Sequence, residues 1–209
     1  MDAARQRATM VERQLRRRGI ADSRVLTAMA EVPRDAFVPE AHRHLAYADR
    51  ALPLEQGQTI SQPLMVAMSA EALRLDGDQT VLEIGAGSGY QAAVLGRLAK
   101  RVHAVEIVPA LAHKAATTLA KLGAENVEIH LGDGREGWPA AAPYDGIVVA
   151  AAAAEVPEAL KAQLKEGGVL VIPIGDQEGQ TLTAITRRGD DFEVDELCRC
   201  VFVPLVHGS

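Results

Sequence analysis

The chain has 209 residues, of which 48% are hydrophobic, 24% charged and 3% aromatic, a composition that fits one globular domain with a full core. So few aromatic residues and a formal net charge of −6 argue against a base-stacking surface for RNA or single-stranded DNA. The basic run Arg16–Arg18 is short, and such a run is more typical of a solvated helix face than of a nucleic-acid patch.

Two cysteines bear on the compartment in which the chain works. Cys198 and Cys200 lie two residues apart, so on a strand their side chains would point the same way, which disfavours a disulfide between them. The sequence has no apolar signal segment at its N-terminus and no apolar run of about 18 residues. We therefore expect a cytoplasmic protein that does not associate with a membrane.

The N-terminal part is predicted to be helical. Apolar residues at helical spacing from Ala4 to Leu15 predict a helix over residues 3–18 that ends at Gly19. Asp22 is suited to cap a second helix.

A proline-rich stretch follows these helices. Residues 33–63 hold four prolines and little periodicity, but apolar residues are scattered through them, which indicates an ordered, irregular segment. Pro63 is predicted to begin a helix over residues 63–74 that packs through Met65 and Met68.

From residue 80 onward, apolar strands alternate with amphipathic helices. This pattern predicts a mostly parallel sheet that is covered by helices on both faces. The predicted helices cover residues 91–99, 109–122 and 157–168. The seven predicted strands cover residues 80–86, 101–107, 126–131, 144–150, 169–175, 181–187 and 198–205, with the last two joined by a turn near Gly189.

These elements predict an α/β fold, a seven-stranded, mostly parallel, doubly wound sheet with an N-terminal helical extension. We expect residues 1–209 to form a single domain. Within it, residues 1–62 would supply the N-terminal helices and an irregular active-site segment, and residues 63–209 the α/β core.

A glycine loop follows the first strand of the sheet. Glu83 ends that strand, and Gly85, Gly87 and Gly89 come next, before a helix, which is the pattern of a nucleotide-binding turn. The spacing departs from the dinucleotide-binding pattern G-x-G-x-x-G, because position 90 is tyrosine. It resembles instead the loop of S-adenosylmethionine-dependent methyltransferases.

Two acidic residues follow the next strands. Glu106 ends the second strand, where a carboxylate can accept hydrogen bonds from both hydroxyls of a ribose. Asp133, between Gly132 and Gly134, follows the third strand and could accept from an adenine amine, although a simple turn explains the same residues. Ligands bind at the carboxyl ends of strands in open α/β sheets, so these features indicate one cofactor site.

Several stretches together resemble the protein-L-isoaspartate O-methyltransferase family. They are LPLEQGQTISQP, VLEIGAGSGYQAAVLGRLA, the series LGAENV, GDG and GWPAAAPYDGIVVAAA, and the closing FVPL. GQTISQP, residues 57–63, is the most specific, because it is typical of this family and not of methyltransferases in general. The chain departs from the family at Ala86 and Ala150, where threonine is common, and at Leu54-Glu55, which replaces Ile-Gly. Of these, Glu55 is the residue placed to alter peptide access.

The resemblance implies a Rossmann-like class I methyltransferase that acts in protein repair. Such an enzyme transfers a methyl group from S-adenosyl-L-methionine to the free α-carboxylate of L-isoaspartyl residues in damaged proteins and releases S-adenosyl-L-homocysteine. The ester cyclises to a succinimide, which opens partly to normal aspartate. Isoaspartyl proteins and peptides would be its partners, D-aspartyl residues remain an open second substrate, and nothing in the sequence demands more than a monomer.

The resemblance also assigns roles to individual residues. Ser61 would be catalytic, as a hydroxyl that hydrogen-bonds the substrate carboxylate or closes over the methyl donor, and it could also cap the helix at Pro63. The expected substrate-binding residues are Thr59, Ser61, Val203, Pro204 and Leu205. The expected cofactor-binding residues are Gln58, Thr59, Ile60, Glu83, Ile84, Gly85, Ala86, Gly87, Ser88, Gly89, Tyr90, Glu106, Ile107, Gly132, Asp133, Gly134 and Gln180.

Other functions stay open at this point. A methyltransferase could act on a small carboxylic acid or a nucleic-acid base, and a cofactor-binding scaffold without activity could dock a partner through Arg16–Arg18. An NAD enzyme is disfavoured by the glycine spacing. No metal site is expected, because the nearest pair among the six histidines, His42 and His44, lacks a third ligand in the sequence.

Overall fold

The structure, a computed structural model, describes residues 2–176 and 179–206. A seven-stranded sheet forms its centre, with the strand order β5-β4-β3-β6-β7-β8-β9, and a two-stranded hairpin, β1-β2, lies apart from it. The strands are β1 Leu52–Pro53, β2 Thr59–Ile60, β3 Thr80–Ile84, β4 Arg101–Glu106, β5 Val127–Leu131, β6 Tyr144–Val149, β7 Leu164–Gly175, β8 Gln180–Arg188 and β9 Asp191–Cys200. The α-helices are α1 Ala3–Met10, α2 Ser23–Glu31, α3 Pro63–Ala72, α4 Tyr90–Gly96, α5 Pro109–Lys121 and α6 Glu158–Ala162.

Both faces of the sheet are buried. Alternate residues of a strand belong to different hydrophobic clusters: Val81 packs in the cluster that includes α2, α3 and α4, whereas Leu82 packs in the cluster that includes Tyr144 and Leu160. Strands β3 to β7 run parallel, and β8 and β9 are antiparallel to their neighbours. The predicted seven-stranded, mostly parallel, doubly wound sheet is confirmed.

The topology creates a crevice at one edge of the sheet. The chain runs from β3 to β4 on one side, and β6 later pairs with β3 on the other side. At such a switch point, the loops after neighbouring strands diverge and leave room for a ligand. The carboxyl ends of β3, β4 and β6 therefore frame the candidate site.

Two predicted elements differ from the structure. The sixth helix ends at Ala162, because Leu164 pairs with Tyr144 in the sheet. The last strand covers Asp191–Cys200 and not residues 198–205, because the apolar residues after Cys200 leave the sheet. The strand that replaces them is an edge strand with mostly exposed side chains, so it lacks the apolar run on which the prediction rested.

The N-terminal helices also differ in detail. The first helix changes to a π-helical turn over Val11–Leu15, which shifts the buried face to Met10 and Leu15 and leaves Ala4 exposed. Helix α3 is buried along most of its surface, whereas Met65 and Met68 are only half-buried. Arg16–Arg18 is exposed, and Glu12 or Asp49 forms an ion pair with each arginine. Among the described residues, no helix is long and apolar enough to cross a membrane.

Candidate active site

A pocket opens at the carboxyl ends of β3, β4 and β6, with about 780 Å³ of space including its mouth. The pocket brings together many of the sequence-predicted residues: Gln58, Thr59, Ile60, Ser61, Glu83, Ile84, Gly85, Ala86, Gly87, Ser88, Tyr90, Glu106, Ile107, Gly134, Val203, Pro204 and Leu205. Val66, Gln91, Val105, Ala150, Ala151 and Val206 line it as well and were not predicted.

The glycine loop turns sharply between β3 and α4. Gly85, Gly87 and Gly89 all have positive φ angles, of 83°, 53° and 84°, which residues with a side chain rarely adopt. A Cβ atom on Gly89 would lie 3.2 Å from the Cβ of Ala115, so this glycine also lets α5 approach closely. Gly87 and its neighbours therefore expose their backbone to the pocket, while Gly89 serves the packing behind it.

Glu106 fastens the glycine loop to the end of β4. Its carboxylate accepts hydrogen bonds from the backbone amides of Gly87, at 2.7 Å, and Val108, at 2.9 Å. A carboxylate offers about four lone-pair positions, so these two bonds leave capacity for a pair of ligand hydroxyls. The side chain is almost fully buried, yet it lines the pocket, which makes it a rigid acceptor.

Glu83 lies at the floor of the pocket and is completely buried. Gln91 donates a hydrogen bond to its Oε1 at 3.1 Å, whereas Oε2 has no partner among residues 2–176 and 179–206. Burial raises the pKa of Glu83 to about 8, the hydrogen bond from Gln91 lowers it, and the charge of Glu106 raises it. A buried acceptor without a partner at the wall of a pocket is suited to a cationic or hydrogen-bond-donating ligand group.

The segment 57–63 faces the glycine loop. A Cβ atom on Gly87 would lie 4.0 Å from the carbonyl oxygen of Thr59, which shows how close the β1-β2 hairpin comes to the loop. Ser61 follows the hairpin and lines the pocket, and its hydroxyl has no hydrogen bond within the described part of the chain. Gln62, and not Ser61, is the N-cap residue of α3. The predicted capping role of Ser61 is therefore wrong.

Arg34 holds this segment in place, although no sequence motif marks this residue. Its side chain is fully buried, and its Nη2 donates to the carbonyl oxygens of Ser61, at 3.0 Å, and Arg50, at 3.4 Å. Its Nη1 donates to the carbonyl oxygen of Ala46, and the guanidinium lies 5.7 Å from the ring centroid of Tyr90. One cation thus ties three loop carbonyls to the helix behind the glycine loop.

The family of this chain follows from comparison with known proteins. A sequence profile described as protein-L-isoaspartate(D-aspartate) O-methyltransferase matches residues 5–209. A protein-L-isoaspartate O-methyltransferase from Rhodopseudomonas palustris is 56% identical to it, over 94% of this chain and 91% of the relative. The chain belongs to this family.

Solved structures agree with the assignment. One protein-L-isoaspartate O-methyltransferase has a TM-score of 0.85 and 31% identity, with 97% of this chain and 66% of that chain covered. A second, from Plasmodium falciparum, was solved in complex with S-adenosyl-L-homocysteine; it has a TM-score of 0.81 and 27% identity, with 96% of this chain and 98% of that chain covered. The expected membership in the protein-L-isoaspartate O-methyltransferase family is confirmed.

Among the predicted site residues, Gln180 lies outside the pocket. Its side chain accepts a hydrogen bond from the amide of Phe202, at 2.6 Å, and donates to the carbonyl oxygen of the same residue, at 3.2 Å. Gln180 lines a neighbouring groove instead. Its predicted contact with the cofactor is therefore replaced by a positioning role, because it holds the segment that continues to Val203, Pro204 and Leu205.

That C-terminal segment crosses back over the sheet and forms one wall of the pocket. The amide of Leu205 donates to the carbonyl oxygen of Ala152 at 2.7 Å. The amide of Ala152 donates to the carbonyl oxygen of Val203 at 2.8 Å. Pro204 and Leu205 line both the pocket and the neighbouring groove. This short segment therefore borders both spaces.

Asp133 also does not line the pocket. Its carboxylate accepts from the backbone amide of Arg135, at 3.0 Å, and from the guanidinium of the same residue, at 2.7 Å. Gly89 and Gly132 likewise do not line the pocket. Glu55, the residue placed to alter peptide access, pairs with Lys114 at 2.7 Å. Of the predicted third-strand residues, Gly134 alone reaches the pocket.

Replacing Gly134 with alanine is expected to lower the free energy of unfolding by about 1–3 kcal/mol, the usual cost of overpacking. A Cβ atom at this position would lie only 2.3 Å from the Cγ2 of Ile84, a side chain that is buried at the end of β3. Urea denaturation checks the result. Gly132→Ala is the control, because its Cβ would meet Val105 at an ordinary 3.7 Å, and equal losses in the two variants would contradict the prediction.

Proposed function

We propose that the chain carries out the reaction of its family in the pocket framed by β3, β4 and β6. The chain is a methyltransferase that uses S-adenosyl-L-methionine to methylate the free carboxylate of isoaspartyl residues, the first step of their repair. The arrangement that supports this location best is the convergence of Glu83, Glu106 and Ser61 on one pocket.

The residues of the pocket fit the cofactor. We assign the ribose hydroxyls to Glu106, whose carboxylate keeps free acceptor capacity after its bonds to Gly87 and Val108. The α-ammonium group is assigned to Glu83, because its Oε2 is a buried acceptor with no partner in the described chain. The glycine loop would approach the ligand through its backbone, since no side chain stands in the way at Gly85 and Gly87.

The chemistry requires little acid or base catalysis from the protein. Bound S-adenosyl-L-methionine supplies an electrophilic methyl group on a sulfonium. The substrate α-carboxyl has an ordinary pKa of about 3.5, so it is already the ionised nucleophile at neutral pH. The residues of the pocket need to remove water from the carboxylate and orient it, and orientation can supply roughly 7–11 kcal/mol in favourable cases.

We assign the orientation of the carboxylate to Ser61. Its hydroxyl lines the pocket without a partner in the described chain, and Arg34 fixes its backbone. Thr59 stands beside it, and Val203, Pro204 and Leu205 form the opposite wall, where an extended peptide could bind through its backbone. The groove beyond Leu205 offers room for the residues that flank the damaged site.

Ser61→Ala is expected to lower kcat for an isoaspartyl peptide about tenfold, because a hydrogen bond to a charged group contributes about 1.5–3 kcal/mol, part of which water replaces. The measurement is methanol release after transfer of labelled methyl groups. Ser23→Ala is the matched control, because Ser23 is an exposed residue at the start of α2.

Two outcomes would contradict this assignment. Wild-type turnover by Ser61→Ala would remove Ser61 from the reaction. Equal rates with isoaspartyl and normal aspartyl peptides would contradict the acceptor itself.

We also propose that the chain acts as a cytoplasmic monomer that binds neither nucleic acid nor membranes. The free thiols of Cys198 and Cys200 support a reducing compartment, and the ion pairs of Arg16–Arg18 reduce the charge available to a phosphate backbone. Light scattering on the purified chain tests the monomer, and a salt-dependent binding assay with DNA tests the absence of a nucleic-acid partner.

A further inference from the structure

A second cluster of chemically active side chains lies away from the pocket, on β4 and β5. In the parallel pairing of these strands, His103 lies opposite Glu128, and His130 follows two residues later on the same face. His103 is buried, His130 is half-buried and Glu128 is exposed. The expectation of no metal site rests on the spacing of the six histidines along the sequence, whereas these three residues come together only when the strands pair.

The distances within this cluster suit a small metal ion. The Nδ1 atom of His103 lies 3.0 Å from Nε2 of His130 and 3.8 Å from Oε2 of Glu128, and all three ligand atoms lie within 4.8 Å of one another. Zinc binds nitrogen and oxygen ligands at about 2.0–2.2 Å, so neighbouring ligands of a tetrahedral ion are separated by about 3.3 Å. The two measured separations bracket this value.

The surroundings hold the ligands in orientation. The ring of Trp138 stacks on His130 with centroids 4.0 Å apart, and Arg101 donates to the other carboxylate oxygen of Glu128 at 2.9 Å. Contacts of this kind behind the ligands fix their geometry in metal sites.

We propose that His103, Glu128 and His130 form a zinc site with a fourth position open to water. The ion would join the edge strand β5 to β4, on a part of the sheet that the methyltransferase pocket does not use. Two neutral histidines and one carboxylate are a donor set typical of zinc, and three protein ligands leave one position for solvent.

The chain contains its own reporter for this site. Trp138 is its single tryptophan, so its fluorescence reads the environment of the stacked His130 ring without interference. We expect zinc chloride, added to the tag-free chain after chelator treatment, to change this fluorescence up to one equivalent and to raise Tm. Cobalt(II) in the same site is expected to give visible absorption bands of a four-coordinate ion and to quench Trp138.

Variants separate the site from adventitious binding. His103→Asn and Glu128→Gln should each weaken zinc affinity at least about tenfold, whereas His44→Asn and His113→Asn should leave it unchanged. A flat fluorescence titration and an unchanged Tm in a large excess of zinc would overturn the proposal and leave a hydrogen-bonded histidine pair. Zinc binding with the same affinity in His103→Asn or Glu128→Gln would overturn it as well. Methyl transfer to an isoaspartyl peptide should persist in His103→Asn and Glu128→Gln, which keeps this test independent of the pocket.

Discussion

Arg34→Met is expected to lower the free energy of unfolding by about 2–4 kcal/mol and kcat by more than about tenfold. The variant removes the donor shared by the carbonyl oxygens of Ala46, Arg50 and Ser61. Each buried acceptor left without a partner costs about 1–3 kcal/mol. The activity should fall because Ser61 loses the bond that fixes its backbone.

An opposing effect makes the expected loss of unfolding free energy smaller than the summed cost of the three lost hydrogen bonds. Burial lowers the pKa of Arg34 to about 10, so the folded state bears a cost for keeping the cation out of water. Its Nε atom is also buried without a partner in the described chain. Methionine relieves both costs, but it fills the space without donating a hydrogen bond. We expect the lost donors to dominate, because Ala46 is fully buried and cannot regain water.

Urea unfolding and the methanol-release assay, at a temperature where the variant is folded, measure the two effects. Arg43→Met is the matched control, because Arg43 is an exposed arginine in the next helical turn, Glu40–Leu45, and surface changes of this kind stay within about 0.5 kcal/mol. Arg34→Lys should fall between the two, since a single ammonium cannot serve three carbonyls in fork geometry. An unfolding midpoint and a kcat equal to those of the wild type in Arg34→Met would refute the role of Arg34 in holding the three carbonyls.

Glu83→Gln is expected to weaken the binding of S-adenosyl-L-methionine about 10- to 100-fold at pH 8, the loss of one buried hydrogen bond between charged groups. The assignment rests on the unpartnered Oε2 of Glu83 at the pocket wall. Glutamine has the same shape but cannot carry the negative charge that an ammonium group prefers. Calorimetric titration measures the affinity, and Glu125→Gln, at an exposed position, is the control.

The wild-type affinity should also depend on pH. With a pKa of about 8, raised mainly by burial, Glu83 in the cofactor-free chain is largely protonated at neutral pH. Binding of an ammonium group favours the carboxylate, so binding releases a proton and the affinity should increase as the pH rises towards about 8. The affinity of Glu83→Gln should lack this component. An identical pH dependence in both proteins would refute the assignment.

The stability of the cofactor-free chain should change in the opposite direction. The folded-state pKa of Glu83 is raised above its unfolded value, so its contribution is fully present below pH 4.5 and is lost as the pH rises through about 8. Thermal unfolding of the wild type should therefore occur at lower temperatures as the pH rises from about 4.5 to about 8, by more than in Glu83→Gln.

The local sequence pattern predicted most of the fold. Strands such as β3 and β4 are mostly apolar and buried, and their order along the chain restricts the topology. The edge strand β9 was placed wrongly, because most of its residues are exposed and no apolar run marks it. Periodicity identifies elements that bury one face or two, and it fails where most of an element is exposed.

The sequence predicted the residues of the glycine loop in the pocket, but it did not predict the role of Arg34 behind Ser61. Glu83, Gly85 and Gly87 are neighbours in sequence, so one motif places them. Arg34 contacts carbonyls 12, 16 and 27 positions along the chain, and a charged residue in a proline-rich stretch gives no sign of burial. Gln91 was not predicted either, although its place in the first turn of α4, directly after the glycine loop, is a weak indication that it lies near Glu83.

The hydrogen bonds from Gly87 and Val108 to Glu106 restrict the conformational freedom of the glycine loop. Both bonds are made within the chain, so we expect folding itself to order this loop before the cofactor binds. Ser61, by contrast, follows a hairpin of two-residue strands and is held at its carbonyl by one arginine. We therefore expect the half of the pocket assigned to the methyl donor to depend for its order on Glu106, and the half assigned to the damaged peptide to depend on Arg34.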